Sequence, residues 1–297
     1  MRLEKLNKNT DIIIALGYFD ALHKGHQSII SATIKSAMAN QCCSAILTFD
    51  DNFLHYLSRN EKIIYPIEER RIILNQLGLD YTIVLTTTNE FFYISPLEFL
   101  DRLQRKYSIK GFVCGNDFKF GKSREGDVNF LKNYAKKHKL ELVIVEPYLT
   151  DSGEKISSTS IRMLISKRQI TEANSILGRE FSITGVVVSG KKNGGKFGFP
   201  TANLAIPNNK LLPGDGVYST HTTIEGVTYK SITNIGYRPT IDNQRTIETH
   251  LIGYSGDLYN STITVFFKRF LRETIKFNDP SELCAQLNKD KAEVSRD

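Results

Sequence analysis

Two hydrophobic periods divide the chain. In the first half, short continuous apolar runs alternate with stretches whose apolar residues recur every three or four positions. Asp11–Leu16 (DIIIAL), 44–49 (SAILTF), Tyr81–Leu85 (YTIVL), 110–114 (KGFVC) and 140–145 (LELVIV) have the length and β-branched content of buried strands. Between them, 27–38 sets Ile29, Ile30, Thr33, Ile34, Ala37 and Met38 at helical spacing, and 67–77, Pro96–Lys106 and 125–138 also read as helices. Fully apolar strands alternating with helices predict a parallel sheet covered on both faces. On such a sheet, ligands sit in the loops at the carboxyl ends of the strands.

Past residue 180 the pattern changes. Phe181–Val188, 216–223, 229–234, 247–253 and 262–267 are strand-like runs separated by turn residues at short spacing, which predicts an all-β sandwich or small barrel. Asp279-Pro280-Ser281-Glu282 combines a capping residue, a first-turn proline and a glutamate three positions on, so a terminal helix starts there. The expected organisation is a domain over 1–180 and a second over 181–297, with a helical bridge at 160–177.

Composition narrows the class. The 297 residues are 40% apolar and 24% charged, which fits a globular protein and excludes disordered, collagen-like and coiled-coil chains. No apolar run approaches the ~18 residues of a membrane span, and the charged N-terminus lacks the core of a secretory signal. Cys42, Cys43, Cys114 and Cys284 show no CxxC spacing, so a reducing cytoplasm is expected. The net charge of +7 is concentrated over 101–139, with eleven Lys/Arg against four Asp/Glu. Solvated helix faces explain this as well as an anionic ligand does.

Five segments carry candidate chemistry. Gly17-Tyr18-Phe19-Asp20-Ala21-Leu22-His23-Lys24-Gly25-His26 follows a predicted strand and opens a predicted helix. Two imidazoles three apart at a helix N-terminus point one way, where backbone N–H groups favour anions and imidazoles can donate to phosphate oxygens. Ile156-Ser157-Ser158-Thr159-Ser160-Ile161-Arg162 opens another helix with four hydroxyls and a guanidinium. Gly115-Asn116-Asp117-Phe118-Lys119-Phe120-Gly121 is a strand-end loop suited to a planar heterocycle, or held by its own Asx bonds. Gly185–Leu204 (GVVVSGKKNGGKFGFPTANL) nearly matches the GxxxxGK[ST] phosphate loop twice, but each time lacks the final hydroxyl, so a Walker loop is rejected. A Gly/Lys flap remains, followed by Thr201 and Asn203, whose neutral oxygens share one side of an extended chain and could attend Mg²⁺ beside phosphates. Last, Glu248 of Glu248-Thr249-His250 could accept a hydroxyl proton, although a lone strand glutamate commonly faces solvent.

Together, GYFDALHKGH, GNDFKFG, ISSTSIR, GFPTANL, NIGYRPT, ETHLIGYSGDLY and FLRETIKF resemble, in order and over nearly the whole chain, the prokaryotic bifunctional riboflavin kinase/FMN adenylyltransferase (FAD synthetase) family. The resemblance implies an α/β plus β fold: a Rossmann-like HxGH nucleotidyltransferase domain with a parallel sheet, then a riboflavin-kinase-like small β-barrel with a terminal helix. It implies phosphorylation of riboflavin to FMN by ATP, releasing ADP, then adenylylation of FMN to FAD, releasing pyrophosphate. Glu248 would be the kinase base, Thr201 and Asn203 would attend Mg²⁺, and Gly190, Gly194, Gly198 and Pro200 would line the phosphate loop. His23 and His26 would act in adenylyl transfer. Gly17, Phe19, Asp20, Gly25, Ser157, Ser158, Thr159 and Arg162 would hold ATP, and Asn116, Asp117, Phe118 and Arg272 would contact flavin. No nucleic-acid or membrane partner is implied.

The chain departs from the family pattern at Ala21, where glycine is usual and where a left-handed backbone would be strained. It also departs at 49–53, which lacks the usual prolines and histidine, at Gly253 for a usual aspartate and at Asn260 for a usual glycine. Two alternatives stay open at this stage: a kinase with an impaired adenylyltransferase half, and a non-catalytic flavin-binding regulator.

Overall fold

The computed structural model describes residues 6–57, 61–150, 152–189, 199–237, 245–277 and 279–297. The chain forms two compact units, Met1–Ser158 and Thr159–Asp297. In the first, the elements run β1 (Asp11–Leu16), α1 (Lys24–Ala39), β2 (Cys43–Phe49), α2 (Phe53–Tyr56), α3 (Ile67–Gln76), β3 (Tyr81–Leu85), α4 (Pro96–Lys106), β4 (Ser108–Gly115), α5 (Val128–His138) and β5 (Glu141–Val145). The five strands form one parallel sheet in the order β3-β2-β1-β4-β5.

Burial explains why β1 is central. Ile12, Ile13, Ile14 and Ala15 have no exposure, and each fully buried isoleucine is worth roughly 1.5–3 kcal/mol. Ile12, Ile14 and Leu16 pack with Phe99, Leu100 and Leu103 of α4. On the other side Ala15 meets Ile30 of α1 and Leu74 of α3, and Ile13 meets Ala37. Side-chain caps set two helix starts: Ser95 Oγ accepts from the Glu98 N–H, and Asp127 from the Phe130 N–H. The second cap is why α5 begins three residues later than its periodicity suggests. The residues before it are spent on a short 3₁₀ turn (Lys122–Arg124) and on the Phe120–Gly126 bridge.

The second unit holds α6 (Ser158–Ser166, whose first residue belongs to the first unit), α7 (Ile170–Leu177), β6 (Phe181–Val188), β7 (Ala202–Ala205), β8 (Gly216–Ile224), β9 (Val227–Tyr237), β10 (Arg245–Leu251), β11 (Thr262–Arg272) and α8 (Pro280–Arg296). The helical bridge is thus two helices. The break carries Arg168 at φ 67°, and α7 ends on Gly178 in the left-handed region. The six strands close an antiparallel barrel in the order β10-β7-β6-β11-β8-β9. Strand β7, too short to read by alternation, supplies the link between β6 and β10. The terminal helix starts as expected: the Asp279 carboxylate accepts from the N–H groups of Ser281 and Glu282.

The barrel interior is partly polar. Thr220, Thr222, Ser231, Thr233 and Thr249 are buried, and their hydroxyls bond one another at 2.8–3.0 Å. Each is satisfied by its neighbours, so the hydroxyls cost little where unpaired ones would be expensive. Outside the barrel, His250 (8% exposed) donates Nδ1–H to the Pro200 carbonyl at 2.9 Å and meets the Phe199 ring edge-on, which fixes the chain entering β7. Burial is the main cause that pushes the His250 pKa below the ordinary 6.5, against the opposing effect of the Pro200 bond. Among the described residues no helix is long and apolar enough to cross a membrane.

Asn174 of α7 joins helix to barrel, accepting from the Phe181 N–H and donating to the Phe267 carbonyl, both at 2.8 Å. Asn174→Ala strands two backbone groups and should cost about 1–3 kcal/mol in urea unfolding. Because His250 is held neutral in the fold and takes its proton freely once unfolded, stability should fall as pH drops below about 6.5 and level off below the depressed native pKa. His250→Asn should flatten that part of the stability–pH curve.

Candidate functional sites

In the first unit a cavity of about 550 Å³ lies at the carboxyl ends of β1, β4 and β5. It is the switch point of the sheet: β1 connects onward to β2 on one side, while its other neighbour β4 connects onward to β5 in the opposite direction. His23 is the N-cap of α1, and its Nδ1 accepts from the backbone N–H of His26 at 3.2 Å. An acceptor Nδ1 places the neutral ring's proton on Nε2, leaving that nitrogen as a donor. The two imidazoles stack at 3.8 Å with planes 14° apart, and both line the cavity. Gly25 lines it between them. A Cβ there would lie 3.1 Å from Cε1 and 3.2 Å from Nδ1 of His23, so any larger residue would press on that ring and displace it by a few tenths of an ångström.

The turn before α1 is unusual. Phe19 (φ 54°) and Leu22 (φ 47°) are left-handed, which costs bulky residues about 1–3 kcal/mol each. The strain expected at Ala21 is absent, because the left-handed positions flank it. Asn260, by contrast, does sit in the left-handed region (φ 64°), which asparagine tolerates. Phe19 is buried and meets His26 edge-on at 5.1 Å. A Cβ at Gly17 would come within 2.8 Å of the Phe19 ring. Asp20 is not at the cavity. It is fully buried, and its Oδ1 accepts from the Ile64 N–H at 3.1 Å.

Around the rim, Asn116 donates through Nδ2 to Glu146 at 2.9 Å, and Asp117 pairs with Lys155 at 2.5 Å. Phe118 lines the cavity and stacks on Phe120 at 5.3 Å. A small hairpin, with Leu149 bridging Lys155 and the Ile156 N–H bonded to the Tyr148 carbonyl at 3.1 Å, carries Ser157 and Ser158 to the cavity wall. Thr159 and Arg162 follow on α6, past the unit boundary. Glu146, Pro147, Tyr148 and Lys155, which belong to none of the sequence motifs, also line the cavity. The strand-end rule applied to β5 would have pointed to the first three.

In the barrel, register aligns Asn203 of β7, Glu248 of β10 and Asn234 of β9 in one row. Directly paired residues share a face, and the flanking Ile247 and Thr249 take the buried interior. Glu248 is half-buried on the opposite face, and Asn203 is buried there. Pro200 and Thr201 line a second cavity of about 380 Å³ with Val187, Leu251 and 254–259; Glu248 is not among its described lining residues. Arg272 is gripped by Asp290 of α8, with Nη2–Oδ2 at 2.7 Å and Nε–Oδ1 at 3.0 Å. Gly190, Gly194 and Gly198 lie outside the described residues, as do Arg238, Pro239 and Thr240 of the NIGYRPT segment.

Comparison with known proteins agrees with this division. The FAD synthetase family model matches residues 5–160, and the riboflavin kinase model matches 177–296. The bifunctional riboflavin kinase/FMN adenylyltransferase of Listeria monocytogenes is 33% identical over 292 residues, covering 96% of this chain and 92% of its own. The protein of the same description from Bacillus subtilis is also 33% identical, over 291 residues with the same coverage. A crystal structure from Streptococcus pneumoniae, described as a macrolide-efflux protein, matches with a TM-score of 0.89 at 30% identity, covering 99% of this chain and 96% of that one. With both halves matched in order and relatives a third identical across almost the full length, the chain belongs to the bifunctional riboflavin kinase/FMN adenylyltransferase family.

Proposed function

We propose that residues 181–297 phosphorylate riboflavin to FMN and that residues 1–180 convert FMN to FAD, each step consuming ATP. The observation that carries the adenylyl-transfer half is the stacked His23/His26 pair at the N-terminus of α1, inside the switch-point cavity. An FMN phosphate oxygen attacks the α-phosphorus of ATP, the bond from that phosphorus to the bridging oxygen breaks, and pyrophosphate leaves with the electron pair. His23 and His26 donate to the transferring phosphate, where negative charge builds. Gly17, Phe19 and Gly25 shape the nucleotide side, and Ser157, Ser158, Thr159 and Arg162 hold the triphosphate. Asn116, Asp117 and Phe118 face the flavin, the ring of Phe118 offering a stacking surface. Asp20 serves this site by tying down its loop.

In the barrel, Glu248 takes the proton of the riboflavin 5′-hydroxyl as that oxygen bonds to the γ-phosphorus and ADP departs. Such transfer needs alignment and charge neutralisation more than covalent help. The Thr201 hydroxyl and the Asn203 carboxamide suit Mg²⁺, which commonly takes one or two protein oxygens and completes its shell with phosphates and water. Among the described residues no group of three or more His, Cys, Asp or Glu could hold a metal ion. When bound, Mg²⁺ neutralises phosphate charge. Gly190, Gly194, Gly198 and Pro200 serve the ATP phosphates, and Arg272, oriented by Asp290, contacts the flavin. A cytoplasmic setting supplies the ATP that both steps use.

The altered 49–53 segment does not favour an impaired adenylyltransferase. Asp50 accepts from the Thr87 N–H at 2.9 Å and Asp51 from the Ile67 N–H at 2.9 Å, so its carboxylates anchor the loops around it.

Chromatography of flavins after incubation with ATP and Mg²⁺ tests the two-site reading. Glu248→Gln should abolish FMN formation from riboflavin and leave FMN-to-FAD conversion intact, and His26→Ala should do the reverse. Either change silencing both steps in folded protein would overturn it. Gly25→Ala, which crowds His23, should lower the FAD-forming rate roughly 10- to 100-fold with the kinase unaffected.

A further inference from the structure

Arg70, on the first turns of α3, is fully buried and is among the largest side chains without exposure. Its guanidinium spans two loops. Nη1 donates to the Tyr18 carbonyl at 3.1 Å and to Thr48 Oγ1 at 2.9 Å, and Nη2 donates to the Phe49 carbonyl at 2.9 Å and to Asp51 Oδ1 at 3.1 Å. Thr48 Oγ1 in turn donates to the same Tyr18 carbonyl at 2.5 Å, and the guanidinium lies 5.2 Å from the Tyr18 ring centroid. Arg70 therefore ties the loop after β1 to the end of β2 and the loop beyond it.

A buried cation with a single carboxylate partner is an expensive way to join two loops, since its desolvation is repaid only by good geometry, and apolar packing does the same at less cost. What the fork supplies is direction. Tyr18 stands between Gly17, which lines the cavity, and Phe19, whose left-handed backbone sets its ring against His26. A strained conformation persists only where its surroundings over-determine it. Two donors on the carbonyl one residue before Phe19 do that, and the Gly17 N–H bond to the Leu47 carbonyl fixes the other end of the same turn.

We propose that Arg70 is a positioning residue for adenylyl transfer: through the Tyr18 carbonyl it holds the Phe19 turn, and thereby the His26 ring, at the angle the reaction requires. The inference rests on the assignment of His23 and His26 to FAD formation. It concerns orientation, so it predicts a loss in turnover rather than in binding; small misplacements of positioned groups are costly in rate.

The test is steady-state kinetics of FMN adenylylation by the full chain, with riboflavin phosphorylation measured on the same preparations. Arg70→Lys keeps the charge but cannot fork. Its kcat for FAD formation should fall at least tenfold, with KM for ATP and FMN within about twofold and the kinase unchanged. Thr48→Val, nearly isosteric, removes the relay hydroxyl and with it one acceptor of Nη1, while leaving Arg70 and its bonds to the Tyr18 and Phe49 carbonyls and to Asp51 in place. It should lower kcat in the same direction by a smaller factor, and it serves as the arm that decides if Arg70→Lys does not fold. Normal kcat in the folded Arg70→Lys protein, a defect confined to KM, or a fall in kcat matched by the fraction unfolded in thermal melts would overturn the proposal, as would a Thr48→Val enzyme of normal kcat where Arg70→Lys is unfolded. His26→Ala assayed in parallel separates the two levels. If it still makes FAD, the site assignment fails; if it does not while Arg70→Lys is normal, only the role of Arg70 fails.

Discussion

The seven residues from Gly17 to His23 must end a buried parallel strand and deliver a helix N-terminus without spoiling either. A parallel strand has no hairpin to turn through, and a helix leaves its first N–H groups without intrahelical partners. The chain meets both conditions with two left-handed residues, Phe19 and Leu22, and with His23 itself as the cap. The cap is the step on which the chemistry depends. By accepting from the His26 N–H, His23 commits its own tautomer and brings the second ring into a stack. One hydrogen bond of secondary structure thus also selects which nitrogen of the neutral His23 ring is left to donate.

Much of this was legible in the sequence because it follows from periodicity. The order of strand, glycine, histidines and helix placed the cavity at the end of β1, and the strands of the parallel sheet were readable because all five are largely apolar, the central β2, β1 and β4 being buried and the edge strands β3 and β5 mostly half-buried. Ala21 was misjudged for a definite reason: sequence reports which residue tolerates a left-handed backbone, but not which position in the turn receives it. The strain went to Phe19 and Leu22, large residues whose burial repays it. Asp20 misled in a related way. A carboxylate in a nucleotide loop suggests a ligand contact, yet here the buried oxygen satisfies the Ile64 N–H from a distant segment. Arg70 escaped notice entirely, since a helical arginine flanked by Glu68, Glu69 and Arg71 reads as a solvated face.

The barrel gave up less. Alternation found its longer strands, but four-residue β7 carries too few positions to show a period, and it is the strand that sets Asn203 beside Glu248. The interior threonines and serine blurred the inside-out pattern further. Counted as polar they belong outside, but in the barrel they satisfy one another across β8, β9 and β10. Register then does what sequence cannot. Asn203, Glu248 and Asn234 are 45 and 14 residues apart along the chain, and antiparallel pairing makes them lateral neighbours.

The charge balance at the two centres points to how phosphate is held. The described lining of the first cavity offers the carboxylates of Asp117 and Glu146 against the ammonium of Lys155, which is already paired with Asp117. A triphosphate gains nothing from that sum. Within the first unit, the proposed triphosphate site draws on oriented dipoles: the first turn of α1, the imidazole donors and the hydroxyls of Ser157 and Ser158. In the barrel, register sets Glu248 beside the carboxamide-bearing Asn203 and Asn234. Dipoles fixed by the fold do not need to reorganise as charge migrates from one oxygen to another. A site built from them tolerates the basic or acidic drift of the surrounding surface, provided the backbone that aims them stays rigid. Buried ties such as those of Asp20 and Arg70 provide that rigidity beneath the first cavity.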